Sequence, residues 1–438
     1  MILYQLARKV NKQIKKKRKE WAGRALSPVR RVEFVAPPQE RVVAMTFDDG
    51  PCMLPPSNAA GDTALTDVLL DILAQYGAHA TFDVIGSTAQ NYPDEAGKLH
   101  SFTWGGMKYD HYPDIRRDEQ GGAVACERLI ARMIDEGHEI SNHGYRHIIF
   151  GPMRLVYRSR TSFHTITEVV EDLSALHELL RSKYGYEIRL SRPPHYIDRI
   201  PDGYTSYDAY KRMGYTYMAS SFDGGGWIAG SGDYQKDVDA MIAPLRRALE
   251  ADPDALNGKI IFQKDGYNMS RQTPIADALG PQLALLREYG YQVVSVGELL
   301  QRSMFEDLPP QSRNFSYVQA LAQDGYCIGY RNNTFQPDRA VTQEELAVMT
   351  APPELFRRDY GSRRRNETYR QALEHHPYMR LAKGKKNTVS KKDLLELCTR
   401  MGVTLEHTSF ADDARVTRLE AMEAVYKVVQ AAKGAAVR

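Results

Sequence analysis

The strongest constraint on the fold is a regular alternation of strand-like and helix-like segments between residues 41 and 301. Short apolar runs of strand length are separated by longer stretches in which apolar residues recur every three or four positions. Alternation over such a length implies a parallel sheet or a barrel with helices packed around it. We therefore predict an α/β fold for this part of the chain. The predicted strands are Val42–Phe47, Ala80–Ile85, Glu139–Ile140, Tyr215–Met218, Lys259–Phe262 and Gln292–Val296.

After residue 300 the pattern changes to short helices without a strand period. One helix start recurs there, at Val341–Leu346, Val389–Leu394 and Val416–Ala421. In each copy a Ser or Thr is followed three residues later by an acid, which is the pattern of a helix-opening capping box. Three copies favour a degenerate internal repeat and a small all-α domain at 302–438. Capping boxes also arise independently, so this pattern alone leaves the repeat open.

Two segments lie outside this scheme. Residues 1–40 form a basic leader and connector, and the first 31 residues hold eleven Lys or Arg and one acid. A solvated tail is the favoured interpretation of the leader, and binding to an anionic surface is the alternative. Between about 95 and 122 the alternation stops in a polar and aromatic insertion, which suits a lid or substrate wall as well as an inert surface loop.

Composition excludes several classes of protein. The chain has 438 residues, which predicts two or three units, and its 58 Lys and Arg against 55 Asp and Glu require no nucleic-acid partner. Four widely spaced cysteines indicate neither a zinc ribbon nor a disulfide scaffold. The sequence has no run of about eighteen apolar residues, so we expect no transmembrane segment. The leader also lacks the apolar region of a signal peptide.

Two adjacent carboxylates, Asp48 and Asp49, end the first predicted strand in the segment Thr46–Pro51. Strand carboxyl ends are where α/β folds build their sites. Side chains alternate between faces along a strand, so one carboxylate can bind a metal ion while the other accepts a proton from a reacting water. The alternative is that the Asp-Asp-Gly stretch is only turn chemistry.

A pair of histidines completes a candidate metal site. His143 and His147 stand four residues apart, a spacing that places two imidazoles on one face of a helical turn. With Asp49 they form a set of two histidines and one carboxylate that leaves positions open for water and substrate. Asp48 then remains as the general base, and Arg192 is the cation that we expect to keep Asp48 ionised.

These segments, together with Arg192–Pro194, Asp223–Trp227 and the strand at 260–265, occur in the order of the NodB-type polysaccharide deacetylases, carbohydrate esterase family 4. The resemblance covers roughly residues 41–301. It implies a distorted (β/α) barrel that removes an acetyl group from a sugar with the help of a divalent metal. Zinc is the default metal, with cobalt or nickel as alternatives. The implied roles are Asp48 as base, Arg192 as the group that tunes it, and Asp49, His143 and His147 as metal ligands.

The same resemblance assigns further roles around the site. The backbone N–H of His195 falls where the family stabilises the oxyanion. Lys264 stands where the family carries the histidine that protonates the leaving amine. Lys264 is therefore expected to replace that acid or to act as a fixed charge, and the alternative is an inactive site in which it only pairs with Asp265 or Asp223. The predicted substrate-binding residues are Asp223, Trp227 and Tyr196.

The last part of the chain resembles a second family. Phe305–Asp307, Gly329–Tyr330, Phe335–Pro337 and Val341–Leu346 look like one complete S-layer homology repeat, a module that binds cell-wall polymers. Two truncated copies follow, and only Arg418 keeps the ligand-type arginine of the family. The resemblance implies a cell-wall polymer as partner of residues 302–438.

Together these patterns predict a metal-dependent N-deacetylase of an acetylated cell-wall or capsular polysaccharide of the N-acetylglucosamine type. One alternative is a catalytically silent, wall-anchored glycan-binding protein on the same fold, which the substitution at Lys264 favours. Another is a hydrolase of non-glycan amides. The S-layer-like segment suggests the cell surface or wall, whereas no signal peptide is visible, so localisation stays open.

Overall fold

The computed structural model describes residues 29–87, 120–152, 162–226, 230–268, 270, 272–350, 388–405 and 414–436. The chain divides into two compact units, one of Val32–Arg302 and one that combines Ser303–Arg438 with the first 31 residues. Most of the basic leader, most of the insertion predicted at about 95–122 and Trp227 lie outside the described residues.

The larger unit is a curled parallel sheet of short strands with helices around it. Its strand order is β1-β6-β5-β4-β3-β2-β8-β7, and β9 also pairs with β2. This arrangement confirms the predicted distorted (β/α) barrel. The strands are β1 (Arg31–Val32), β2 (Val42–Asp48), β3 (Thr81–Val84), β4 (Glu139–Asn142), β5 (Leu190–Ser191), β6 (Thr216–Met218), β7 (Phe222–Asp223), β8 (Ile260–Lys264) and β9 (Gln292–Val294).

Helices alternate with these strands, as the sequence pattern predicted. The longest begins at a capping box, in which Thr165 and Glu168 exchange side-chain and backbone hydrogen bonds, and ends at Gly185 in the left-handed conformation. The apolar side chains along one face of this helix are buried. The helices are α1 (Leu65–Gln75), α2 (Gly122–Ala125), α3 (Glu127–Asp135), α4 (Ile166–Tyr184), α5 (Ser206–Met213), α6 (Tyr234–Ala251), α7 (Ile275–Glu288) and α8 (Val296–Arg302).

The barrel begins upstream of the start predicted at residue 41. Val32 and Val35, which we assigned to the connector, are buried in one apolar cluster with Val42, Ile260 and Val294. Val35 also donates its N–H to the carbonyl of Gly258 at 2.8 Å. Apolar burial therefore ties this segment to the sheet, although its sequence carries too short a strand signal to be recognised.

Strand β2 positions the candidate site. All of its residues are buried, because β3, β8 and β9 pair with it in parallel and helices cover the sheet. The pairing places Asp48 opposite Asp83 of β3 on one side and opposite Lys264 of β8 on the other. The carboxyl ends of these strands therefore bring charged side chains to one edge of the sheet.

Gly50 lies where the chain leaves β2 and passes the buried side chain of Asp265. A Cβ atom at Gly50 would lie 2.1 Å from Oδ2 and 2.6 Å from Cγ of Asp265. We expect Gly50→Ala to lower the free energy of unfolding by about 1–3 kcal/mol, because the crowded side chain has to move within a packed interior. Urea unfolding measures the loss.

The matched control is Gly61→Ala, because a Cβ atom at Gly61 would meet nothing within 4 Å. This variant should unfold at the midpoint of the wild type. Equal midpoints for the two alanine variants would show that Asp265 does not constrain Gly50.

The smaller unit is helical, as predicted for the end of the chain. Its core joins Phe305 and Phe335 to apolar residues of the helices. Within the described residues, no helix of either unit has the length and apolar character needed to cross a membrane. The helices of the smaller unit are α9 (Phe315–Gln323), α10 (Gln343–Thr350), α11 (Lys391–Arg400) and α12 (Arg418–Ala436).

Capping boxes start three of these helices. Thr342 and Glu345 exchange two hydrogen bonds of 3.1 Å between side chain and backbone. Equivalent pairs are Ser390 with Asp393, at 2.8 and 3.2 Å, and Thr417 with Glu420, at 2.8 and 3.3 Å. Each of the three sequence copies is therefore a genuine helix start, which confirms the small all-α repeat domain.

The valine before each capping box joins the three copies. Val341 donates its N–H to the carbonyl of Val416 at 2.9 Å, Val416 donates to Val389 at 3.1 Å, and Val389 donates to Val341 at 2.8 Å. These bonds close a ring, the valine ring, of one residue from each copy. All three side chains are buried.

Arg418 lies inside this helical unit. Its side chain is 1% exposed, and its Nε donates to the carbonyl of Phe335 at 2.7 Å. The guanidinium also packs over the rings of Tyr330 and Phe335, at 4.8 and 4.9 Å from their centroids. In this structure the arginine that matches the ligand position of the family stabilises the interior of the unit.

Candidate active site

The edge formed by the carboxyl ends of β2, β3, β4, β5 and β8 has an unusual backbone. Asp49, His147, His195 and Tyr196 all adopt positive φ angles, of 76°, 52°, 55° and 55°. Such angles cost a non-glycine residue of order 1–3 kcal/mol and cluster at functional sites, where the surrounding structure imposes them. The backbone therefore marks this edge independently of the side chains.

Asp49, His143 and His147 converge at this edge. Oδ1 of Asp49 lies 2.9 Å from Nε2 of His147 and 3.3 Å from Nε2 of His143. The potential ligand atoms of the three residues lie within 4.8 Å of one another, and both imidazoles are buried. Two imidazole nitrogens and one carboxylate oxygen suit zinc, cobalt or nickel, so the residues present fit a divalent metal ion.

The helical turn expected for the two histidines is wrong. They lie on a bend after β4, with Gly144 at a φ of 90° and His147 in the left-handed region. Asp172 of α4 supports this bend, because its Oδ2 accepts the N–H of Tyr145 at 2.8 Å. The bend, rather than helical periodicity, brings the two rings to a centroid separation of 4.9 Å.

The second ring nitrogen of His143, Nδ1, contacts groups on the side of the ring away from Asp49. Nδ1 donates to the carbonyl of Arg192 at 2.8 Å and also lies 2.7 Å from Oδ2 of Asp83. Burial lowers the pKa of His143, but the surrounding carboxylates of Asp83, Asp48 and Asp49 raise it, and the net result is a pKa well above the usual value. A metal-ligating imidazole is neutral, so binding of a metal ion here competes with protonation of the ring.

Asp48 is buried beside these histidines and pairs with Arg192. Nη1 of Arg192 donates to Oδ1 of Asp48 and to Oγ1 of Thr46, the latter at 3.1 Å. Oδ2 of Asp48 faces Nε2 of His143 at 3.8 Å. Burial raises the pKa of Asp48 to about 7, although Arg192 and His143 act in the opposite direction. A carboxylate with such a pKa can act as a general base near neutral pH.

Lys264 approaches the same cluster from β8. Its Nζ lies 3.0 Å from Oδ2 of Asp49, a partner that the sequence did not suggest. The two oxygens of Asp49 therefore have different partners: Oδ1 faces the histidines and Oδ2 faces the Lys264 ammonium. The neighbouring Asp265 accepts from Oγ1 of Thr66 at 2.7 and 2.9 Å, and burial raises the pKa of Asp265 to about 7.

The other predicted residues lie around this centre or outside it. His195 is in the 3-10 turn Pro194–Tyr196, and its ring centroid is 5.4 Å from that of His147. The Tyr196 hydroxyl is 3.0 Å from Oγ of Ser220, and the Arg192 guanidinium lies over the Tyr196 ring. Asp223 is exposed and accepts the N–H of Gly225 at 2.9 Å. Trp227 is not among the described residues.

One site residue was missed. Asp83 is fully buried in β3, directly opposite Asp48, and contacts His143. Its signal in the sequence is a single carboxylate inside the apolar stretch Ala80–Ile85, where a buried strand rarely places an unpaired charge.

Comparison with known families agrees with this geometry. Residues 36–218 match the family model described as polysaccharide deacetylase. The barrel contains a polysaccharide deacetylase domain. The matched range includes Asp48, Asp49, His143, His147 and Arg192 but ends before Lys264. Residues 305–347 of the helical unit match the S-layer homology domain.

Individual relatives of this chain are named as peptidoglycan deacetylases. The chain is 27% identical over 280 residues to a peptidoglycan-N-acetylglucosamine deacetylase of Bacillus cereus, covering 63% of this chain and 96% of that protein. It is 24% identical over 267 residues to the peptidoglycan-N-acetylmuramic acid deacetylase PdaC of Bacillus subtilis, covering 61% of this chain but 40% of that protein. The solved structure of PdaC aligns at 23% identity with a TM-score of 0.38, covering 60% of this chain and 92% of that one.

Proposed function

We propose that this protein is a metal-dependent hydrolase that removes N-acetyl groups from an acetylated cell-wall polysaccharide of the N-acetylglucosamine type. The observation that carries the proposal is the contact of one Asp49 oxygen with both histidine Nε2 atoms, next to a second buried carboxylate that is held by an arginine. The relatives named as peptidoglycan deacetylases support this substrate class.

Asp49, His143 and His147 would hold the metal ion. A divalent ion there would supply Lewis acidity towards the acetamide carbonyl and towards a water molecule. Asp48 accepts the proton of the attacking water through Oδ2, because Oδ1 is engaged by Arg192. The backbone N–H of His195 is our candidate donor to the oxyanion that forms at the acetyl carbonyl.

Lys264 completes the reaction in this proposal. Breaking the C–N bond leaves an amine that needs a proton, and the ammonium beside Asp49 is the candidate donor. Acetate and the free amino sugar are then the two products. Tyr196, Asp223 and Trp227 remain proposed contacts to the sugar, and residues 302–438 are proposed to bind a cell-wall polymer through the S-layer homology region.

A specific observation favours a second candidate function. Because the Lys264 ammonium already lies on a proposed metal ligand, the site can be one in which the lysine neutralises Asp49 and no ion is held. The protein would then be a catalytically silent, glycan-binding relative of the enzymes.

Acetate release tests the two candidates. The purified full chain is incubated with N-acetylglucosamine oligomers and with purified peptidoglycan, with added zinc or cobalt and with chelator. The proposed function predicts release from at least one substrate that metal restores after chelation, because the chemistry depends on the three-ligand site. Metal bound to the protein, without any release from either substrate, would contradict the enzyme and favour the silent glycan-binding protein.

A further inference from the structure

Asp83 occupies an energetically unfavourable position. It is fully buried and lies directly opposite Asp48 on the neighbouring strand, with both side chains at the same edge of the sheet. Like charges directly opposite each other destabilise a sheet, and a buried carboxylate is costly unless it is compensated. Chains depart from such local rules mainly at functional sites.

The contacts of Asp83 show which groups can compensate its buried negative charge. Oγ of Ser141 donates to Oδ1. Oδ2 lies 2.7 Å from Nδ1 of His143 and accepts no hydrogen bond from any other described residue. In the part of the chain that the structure describes, no lysine or arginine lies within ion-pair distance of Asp83. The charge of Asp83 therefore faces the back of a proposed metal ligand.

The cations of the site are engaged by the other two carboxylates. Arg192 pairs with Asp48, and Lys264 lies on Asp49. Lys264 thus removes much of the negative charge that a metal ligand needs. Asp83 is left without such a cation in the described part of the chain, so among Asp48, Asp49 and Asp83 three acids face two cations. The neighbouring Asp265 accepts a hydrogen bond from Thr66 instead.

We infer that Asp83 is a positioning residue of the metal site, a buried carboxylate that holds the His143 imidazole and supplies the negative charge that Lys264 takes from Asp49. The inference rests on the metal-dependent function proposed above. A carboxylate behind a ligating imidazole fixes the orientation of the ring and raises its basicity. Without Asp83 a divalent ion would enter a site of balanced charge, which is unfavourable in a buried environment.

Zinc affinity measured by titration calorimetry at one fixed pH tests the inference. Asp83→Asn keeps the shape of the side chain but removes its charge, so it should weaken zinc binding about 10- to 100-fold. Lys264→Met removes the competing cation and should tighten binding about tenfold or more. The double variant should return to within severalfold of the wild type, because the two charges offset each other.

Asp237→Asn is the matched control. Asp237 is also buried but lies on α6, where it accepts the N–H of Ser231 at 2.8 Å. Its loss should leave zinc affinity unchanged. The visible absorption spectrum of bound Co²⁺ should likewise change in Asp83→Asn, where His143 loses its support, and not in Asp237→Asn.

Two results would overturn the inference. One is a zinc affinity of Asp83→Asn within twofold of the wild type. The other is a zinc affinity of Lys264→Met that is unchanged or weaker than that of the wild type. This second measurement keeps Asp83 intact, so it remains available if Asp83→Asn does not fold. These experiments measure zinc affinity and not turnover. A wild-type protein that binds zinc but releases no acetate would therefore contradict the proposed function, and the zinc affinities of the variants would still test the inference.

Discussion

Asp48→Asn should lower the rate of acetate release about 10²- to 10⁴-fold, the usual contribution of a general base. The amide is nearly the same shape as the carboxylate, but it cannot take a proton from water. Zinc should still bind, because Asp49, His143 and His147 are unchanged. Initial rates at saturating substrate, together with zinc calorimetry on the same preparation, measure the two effects separately.

Thr46→Val is the control for this variant. Thr46 contacts the same Arg192 nitrogen at 3.1 Å but has no proton-accepting role in the proposed reaction. It perturbs the surroundings of the arginine without touching the base, so its rate should stay within severalfold of the wild type. A comparable loss in both variants would show that the environment of Arg192, and not proton transfer to Asp48, determines the rate.

Arg192→Met should be the most destabilising change at the site. The guanidinium is fully buried, and methionine keeps much of its contact with the rings of Tyr196 and Phe262 but leaves Asp48 as a buried charge without its partner. Breaking a buried pair in this way costs about 3–5 kcal/mol. Denaturant unfolding of the metal-free protein measures the loss.

Arg128→Met provides the comparison at a pair whose guanidinium is exposed and whose acid keeps a second partner, Arg132. Arg128 pairs with Asp67, and 58% of its side chain is exposed. Such pairs contribute about 0–1 kcal/mol, so this variant should unfold close to the wild type. Similar losses for the two arginines would contradict the view that Arg192 compensates a buried charge.

The loss in Arg192→Met should also depend on pH. Burial already raises the pKa of Asp48 to about 7 in the folded protein, and removal of the guanidinium raises it further. Between the unfolded and folded pKa values the folded state binds more protons, so the free energy of unfolding of the variant falls as pH rises. The difference from the wild type should therefore be larger at about pH 8 than at about pH 5.

The sequence predicted the barrel because its strands are buried on both faces. A strand such as Val42–Asp48, with every residue buried, leaves an apolar run that stands out from the amphipathic helices around it. Short edge segments leave no such run. The burial of Val32 and Val35 in the core was therefore not predicted. The end of the last strand was also wrong, because Val296 begins α8.

The site was predictable where function depends on residue type and order. Asp48, Asp49 and the two histidines were found because strand ends gather at one edge and because the motif order matches a known family. Side-chain contacts between neighbouring strands depend instead on the register in which the strands pair, and the sequence alone does not determine that register. The position of Asp83 opposite Asp48, and of Lys264 on Asp49, became visible only once β3 and β8 were paired with β2.

The valine ring explains how the repeats of the helical unit can differ so much in sequence. Its three hydrogen bonds run between backbone N–H and carbonyl groups, which every residue except proline possesses. Substitutions elsewhere in a copy leave these bonds intact, so individual copies are able to shorten and to replace the arginine of the family while the threefold arrangement persists. The ring also couples the copies, since deletion of any one of them breaks two of the three bonds and leaves its neighbours with unpaired, buried backbone groups.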